Sequence, residues 1–216
     1  MADLGKIENL YLPSAAGRLE VLWKHQSHHT GRFAVICHPH PLHGGTMHNK
    51  VVFHAAKAFF DGKFDVVRFN FRGVGASTGS FDGGDGEQED LRVVLQEIIR
   101  RNSDAKVVLC GYSFGAYVSA KTAMLDPAAA LVLIAPPSKH YSFDCLKNSK
   151  LTTAVVFAEL DEFAEVDLPK RMIRWLQAPH LTLALPTDHS FQSQLENLQK
   201  LLSAAVVPFI QFCLQK

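Results

Sequence analysis

Strand-length apolar blocks alternate along the chain with longer stretches whose apolar positions recur at helical spacing. RFAVICH (32–38), DVVRFNFRG (65–73), KVVLCG (106–111), ALVLIAPP (130–137), TTAVVFAEL (152–160) and HLTLALP (180–186) read as strands. An earlier pair is expected at 7–13 and at RLEVLWKHQ, 18–26. NKVVFHAAKAFFDGK (49–63) places Val52, Ala55, Ala56 and Phe59 on one helical face. Further helices are predicted at 86–102, 114–125, 167–176 and 194–214, with Pro208 kinking or interrupting the last. Helix 86–102 is acidic at its front and basic at its end, which suits the helix dipole. Asp85 with Gln88 resembles a capping box at its start. Continuous apolar strands separated by helices mean an α/β fold, a mainly parallel sheet covered by helices on both faces. Functional groups in such sheets gather at the carboxyl ends of the strands. No repeat, linker or low-complexity tract divides the chain, so residues 1–216 are expected to form a single domain.

Charge and composition narrow the classes. The chain has 216 residues, with 22 Lys and Arg against 21 Asp and Glu, so no basic surplus points to nucleic acid. The apolar runs are strand-sized, and none is expected to span a membrane. The start, MADLGKIENLYLPS, lacks the layout of a signal peptide. Cys37, Cys110, Cys145 and Cys213 form no CxxC pair and read as reduced thiols, so a cytoplasmic location is expected. The segment AAVVPFIQFCL is apolar enough to pair with a second chain, a possible homo-oligomer contact, although core packing is its expected use.

The strand at 106–111 runs into Gly111-Tyr112-Ser113-Phe114-Gly115, a G-x-S-x-G string, and a helix follows. That is the strand–turn–helix context of a nucleophile elbow. A side chain at such a turn sits on strained backbone, and strand and helix pass too closely for bulk two residues to either side. The turn lifts Ser113 to the positive end of the following helix, where developing negative charge is favoured. An ordinary tight turn with a glycine-flanked serine is the bland alternative.

A serine hydroxyl needs a base, and the base needs orienting. His140, His180 and His189 follow Ser113 in the chain. His180 precedes its strand and belongs to the wrong edge of the sheet. His140 comes before the candidate acids. His189, in PTDHSF after the last strand, has the correct edge and order. The acid is sought where the strand 152–160 ends, among Glu159, Asp161, Glu162 and Glu165. Asp161 is favoured because it comes as strand gives way to loop, and Glu162 is its main rival.

The loop CHPHPLHGGTMHNK carries His38, His40, His43 and His48. Four imidazoles invite a metal reading. The run has no HExxH, no cysteine pair and no carboxylate, so no metal is expected. Its position suits a second oxyanion donor, the first being the Phe114 N–H. Pro39 and Pro41 have no N–H, which leaves His40, Leu42 or a neighbour, with His40 chosen by position. Leu42 and Tyr112 are expected to touch substrate. Gly73-Val74-Gly75-Ala76-Ser77-Thr78-Gly79 lacks GxGxxG spacing and reads as a pocket-flanking loop that Arg72 orders.

Together these motifs resemble the α/β-hydrolases, and more closely a group of small, lidless bacterial hydrolases related to the dienelactone hydrolases. The matching segments are HPHPLHGGTMHNKVV (38–52), NFRGVGASTGSFDGGDGEQED (70–90) and GYSFGA (111–116). The resemblance implies an α/β-hydrolase fold without a cap domain, a Ser113–Asp161–His189 triad, no cofactor, and a small-molecule carboxylic ester as substrate. The chain departs from the group's G-x-x-D-x-F-V acid context with Ala158-Glu-Leu-Asp161-Glu-Phe163-Ala164, and Ser190 stands where a bulky aromatic is common. Thioester, lactone or peptide substrates fit the same triad. The rival class is a non-catalytic binding protein on the same scaffold.

Overall fold

The computed structural model describes residues 5–215. β1 (Lys6–Ser14) and β2 (Gly17–His25) form an antiparallel hairpin, and β2 runs antiparallel to β4 (Asp65–Phe69). β3 (Arg32–Cys37), β4, β5 (Lys106–Tyr112), β6 (Ala130–Ile134), β7 (Thr153–Ala158) and β8 (His180–Leu185) are mutually parallel. The eight strands make one sheet in the order β1-β2-β4-β3-β5-β6-β7-β8. Helices α1 (Lys50–Asp61), α2 (Asp85–Arg101), α3 (Phe114–Ala123), α4 (Leu168–Trp175), α5 (Leu195–Leu201) and α6 (Val207–Leu214) cover its faces.

The central strands are apolar throughout because both of their faces are buried. Val35, Leu109, Leu131, Leu133 and Val155 pack on one side with Leu91, Leu95, Ile98 and Val118. The intervening residues Ile36, Val108, Val132 and Val156 pack on the other with Val52, Phe59, Leu202 and Ile210. This period-two split makes a two-sided core from uninterrupted hydrophobic runs.

Two local expectations need correction. The cap of α2 lies one residue earlier than Asp85: Gly84 (φ 111°) is the N-cap. The buried Glu87 carboxylate accepts the N–H groups of Gly84 at 2.7 Å and Asp82 at 3.0 Å. Gln88 instead donates to the Gly84 carbonyl at 2.9 Å. Pro208 interrupts the last helix as expected: a π-turn over Leu202–Val206, with the Val207 N–H reaching back to the Leu202 carbonyl, separates α5 from α6, and Pro208 sits in the first turn of α6. The resulting rod, Leu195–Leu214, is 20 residues long and apolar enough to cross a membrane by length and composition, which strand-sized runs did not foretell. Its Leu198, Leu202, Val206, Val207, Ile210 and Leu214 are buried against the sheet.

One buried ion pair ties the segment after β4 to α2. Arg72 Nη2 donates to Asp90 Oδ1 at 2.9 Å, and its backbone N–H donates to Asp90 Oδ2 at 2.8 Å. The Asp90 side chain is fully buried, and burial pushes its carboxyl up against the pull of Arg72. Glu89 and Asp82, the other partners of Arg72, are exposed. Replacing Asp90 by Ala should therefore strip the buried guanidinium of its one buried partner, leaving only the exposed Glu89 and Asp82, and cost about 3–5 kcal/mol in urea unfolding. Glu89→Ala should cost less than about 1 kcal/mol in the same measurement.

Candidate active site

Ser113 sits between β5 and α3 with φ 56° and ψ −121°, a backbone region that L-residues rarely occupy. Its surroundings hold it there. Its N–H donates to the Ile134 carbonyl at 2.9 Å, and its carbonyl accepts the Ala116 N–H at 2.8 Å. A Cβ on Gly111 would collide with the Gly115 carbonyl, and one on Gly115 with the Cys37 carbonyl. The two glycines are thus the close-approach positions that the turn requires. Ser113 keeps 9% of its surface exposed at the carboxyl rim of the sheet.

His189 follows β8 and reaches the same rim. Its Nε2 lies 2.8 Å from Ser113 Oγ, and its Nδ1 lies 2.8 Å from Asp161 Oδ2. An ionised carboxylate only accepts, so Nδ1 carries the proton and Nε2 is left to accept the serine O–H. The second Asp161 oxygen accepts the Phe163 N–H at 2.8 Å. The Asp161 side chain is 1% exposed. Glu159 and Glu162 are exposed, and Glu165 pairs with Arg171, so Asp161 alone of the four acids faces the imidazole. His180 opens β8 at the opposite edge, and His140 packs against Phe163 rather than Ser113.

Two aromatic rings hold the imidazole. Tyr112 stacks on it at 5.5 Å and 29°, and Phe163 meets it edge-on at 4.7 Å. Tyr112 was expected to touch substrate, and this expectation is corrected. It is only 5% exposed, and its hydroxyl donates to the His189 carbonyl at 2.9 Å. Burial, reinforced by the Asp161 charge, pushes its phenol well above the usual range, so it stays a donor. Phe163 was not singled out from the sequence for any role. Its signal was present in the D-x-F spacing, which delivers a backbone N–H to the acid two residues earlier.

The loop after β3 supplies the other wall. His40 packs its ring against Phe114 at 5.1 Å, beside the elbow. The N–H groups of Phe114 and His40 are given to no other group among the described residues. The Leu42 N–H is already taken by His40 Nδ1 at 3.2 Å. Leu42 itself is 70% exposed on the rim. The His40 carbonyl accepts the N–H groups of His43 at 3.1 Å and Gly45 at 3.0 Å, curling the loop into a short 3-10 turn. Burial, then the neighbouring His43, pushes the His40 imidazole down. The His38 ring is fully buried: Nδ1–H donates to the Pro39 carbonyl at 2.7 Å and Nε2 accepts the Phe71 N–H at 3.0 Å. Neither nitrogen is left for a ligand, and among the described residues no three His, Cys, Asp or Glu groups gather as a metal site. Burial likewise pushes the Cys37 thiol up to about 12, so it has no thiolate character at neutral pH.

The family model described as serine aminopeptidase, S33 (Hydrolase_4) matches residues 40–197. The chain belongs to the α/β-hydrolase superfamily. An uncharacterised protein of Rickettsia prowazekii, RP471, is 31% identical over 205 residues, covering 90% of this chain and 86% of its own. An alpha-beta serine hydrolase homologue from Coxiella burnetii is 37% identical with a TM-score of 0.85, covering 91% of this hydrolase and 96% of its own chain. XC6422 from Xanthomonas campestris, described as an a/b serine hydrolase without lid, is 33% identical with a TM-score of 0.84, covering 94% and 95%.

Burial pushes His38 down to about 4, against a usual value near 6.5. Between those values the unfolded chain binds the extra proton and the folded one does not. The stabilisation is therefore complete above about pH 6.5 and is lost as the pH falls toward 4, on the order of 3 kcal/mol. Thermal unfolding of wild type and His38→Gln should show a steeper loss of Tm between pH 7 and 4.5 in the wild type. Parallel losses would contradict this account of His38.

Proposed function

We propose that this hydrolase cleaves small carboxylic esters through a Ser–His–Asp acyl-enzyme mechanism. The observation that carries the reading is the unbroken relay from Asp161 Oδ2 to His189 Nδ1 and from His189 Nε2 to Ser113 Oγ, each step 2.8 Å. In the proposed reaction His189 takes the Ser113 proton as Oγ attacks the ester carbonyl. Asp161 fixes the tautomer and stabilises the imidazolium. The N–H groups of Phe114 and His40 receive the oxyanion. His189 then protonates the leaving alcohol, and water, deprotonated by the same imidazole, releases the acid.

The segment between β6 and β7 bears on acyl length. It holds only the 3-10 turn Asp144–Leu146, too little to build a helical cap over the rim. Without a deep apolar channel, a long acyl chain would leave most of its surface in water. Short acyl groups are the better fit.

A fluorophosphonate probe should label the wild type at Ser113 and should not label Ser113→Ala. Ester turnover should fall by about 10⁴-fold or more in that variant. Retained turnover, or labelling elsewhere, would reject the assignment of Ser113. In a p-nitrophenyl series, acetate and butyrate should be cleaved with higher kcat/KM than decanoate; the reverse order would remove the short-acyl reading. The same panel, extended to a thioester, a lactone and an aminoacyl anilide, tests the ester preference directly.

A further inference from the structure

Aromatic rings form a continuous shelf beside the nucleophile, and the triad chemistry does not use it. Its floor is Phe114, 1% exposed, and Phe143, 2% exposed. Above the floor lie four partly exposed rings, those of His40, Phe81, Tyr117 and Tyr141. His40 meets Phe81 at 4.6 Å and Phe114 at 5.1 Å. Tyr141 meets Phe114 at 5.4 Å and stacks on Tyr117 at 4.6 Å and 29°. Core packing accounts for Phe114 and Phe143. It does not account for four π-systems left partly in water, where aliphatic residues would seal the same core. Nor does it account for the two phenol hydroxyls, which have no hydrogen-bond partner among the described residues.

The mechanism fixes which part of a substrate would meet this shelf. The carbonyl oxygen faces the N–H groups of Phe114 and His40. The leaving oxygen must be within reach of His189 Nε2, on the side walled by Phe163. The acyl substituent takes the remaining direction, toward the residues whose backbone and rings define the other wall: His40, Phe81, Tyr117 and Tyr141. Beyond Tyr141 the shelf ends at a separate cleft of about 310 Å³ that charged groups line, among them Lys139, Asp144, Glu165 and Arg171.

We infer that the shelf is an acyl subsite for a flat aromatic group, so that the preferred esters carry an aryl or arylalkyl acid. The inference rests on the esterase reading above and narrows its substrate class. A planar ring gains offset-stacked and edge-to-face contacts with these rings that a saturated ring of equal size does not. The two hydroxyls at the Tyr117–Tyr141 end offer hydrogen bonds to a polar ring substituent.

The test compares p-nitrophenyl phenylacetate with p-nitrophenyl cyclohexylacetate, which share a leaving group and nearly share a volume. The wild type should favour the aryl ester by about fivefold in kcat/KM, the worth of one to two ring contacts. Tyr141→Leu and Tyr117→Leu should each bring the ratio toward one. Tyr11→Leu, an exposed tyrosine on the β1 hairpin, should keep the wild-type ratio. A wild-type ratio near one, or a high ratio unmoved by both shelf substitutions, overturns the inference. Binding of phenylacetate and cyclohexylacetate to Ser113→Ala, followed by NMR titration, reads the shelf without turnover. Tighter aryl binding that Tyr141→Leu abolishes supports it, and equal binding overturns it. Fluorophosphonate labelling and p-nitrophenyl acetate turnover report the esterase chemistry separately, so a failure of either reading is identified as its own.

Discussion

The site depends on how closely α3 approaches the end of β3. Gly115 lets the helix pass against the Cys37 and His38 carbonyls, and Gly111 lets β5 run beneath the same helix. That contact forces the left-handed backbone of Ser113, and the hydrogen bond to Ile134 fastens the turn to β6. Strain of this kind costs on the order of 1–3 kcal/mol and persists only where neighbours over-determine it. Here three parallel strands do so. The result places a hydroxyl at a helix N-terminus beside a loop whose own N–H is uncommitted.

The loop after β3 is organised by two histidines with different tasks. His38 is sealed in, and its two nitrogens join the Pro39 carbonyl to the Phe71 N–H, binding the loop to the segment after β4. Arg72, the next residue, is in turn held by Asp90 on α2. His40 lies outside this seal, with its backbone N–H uncommitted among the described residues and its ring in the aromatic shelf. In the proposed reaction one short segment would meet the reacting carbonyl and the acyl group at once. Its anchorage comes from buried polar contacts.

The order of strands and helices was legible because each strand is a short apolar run and each helix a longer periodic one. Ser113 and His189 were legible because the glycine spacing and the edge of the sheet are local facts. Strand ends were not. β4 stops at Phe69 and β6 at Ile134, yet Phe71, Ala135 and Pro136 beyond them are buried too, so hydrophobicity carries on past the last ladder bond. The α2 cap was misplaced because Asp85–Gln88 has the side-chain spacing, while the backbone selected Gly84 at a positive φ. Tyr112 was misread because adjacency to Ser113 in sequence says nothing of which way a strand-end side chain turns. Here it turns under the imidazole. The shelf was invisible for a related reason: Phe81, Tyr117 and Tyr141 come from three separate segments that only the tertiary fold unites.

Ser113, Asp161 and His189 hang from different parts of the sheet. Ser113 leaves a central strand flanked on both sides, whereas Asp161 and His189 leave β7 and β8, and β8 is bonded to a neighbour along one side only. Edge elements open locally at a smaller free-energy cost than interior ones. Fraying at this margin would carry off His189 while the turn at Ser113 stayed intact. On warming, the proposed relay would therefore come apart while the interior of the sheet still held its ellipticity.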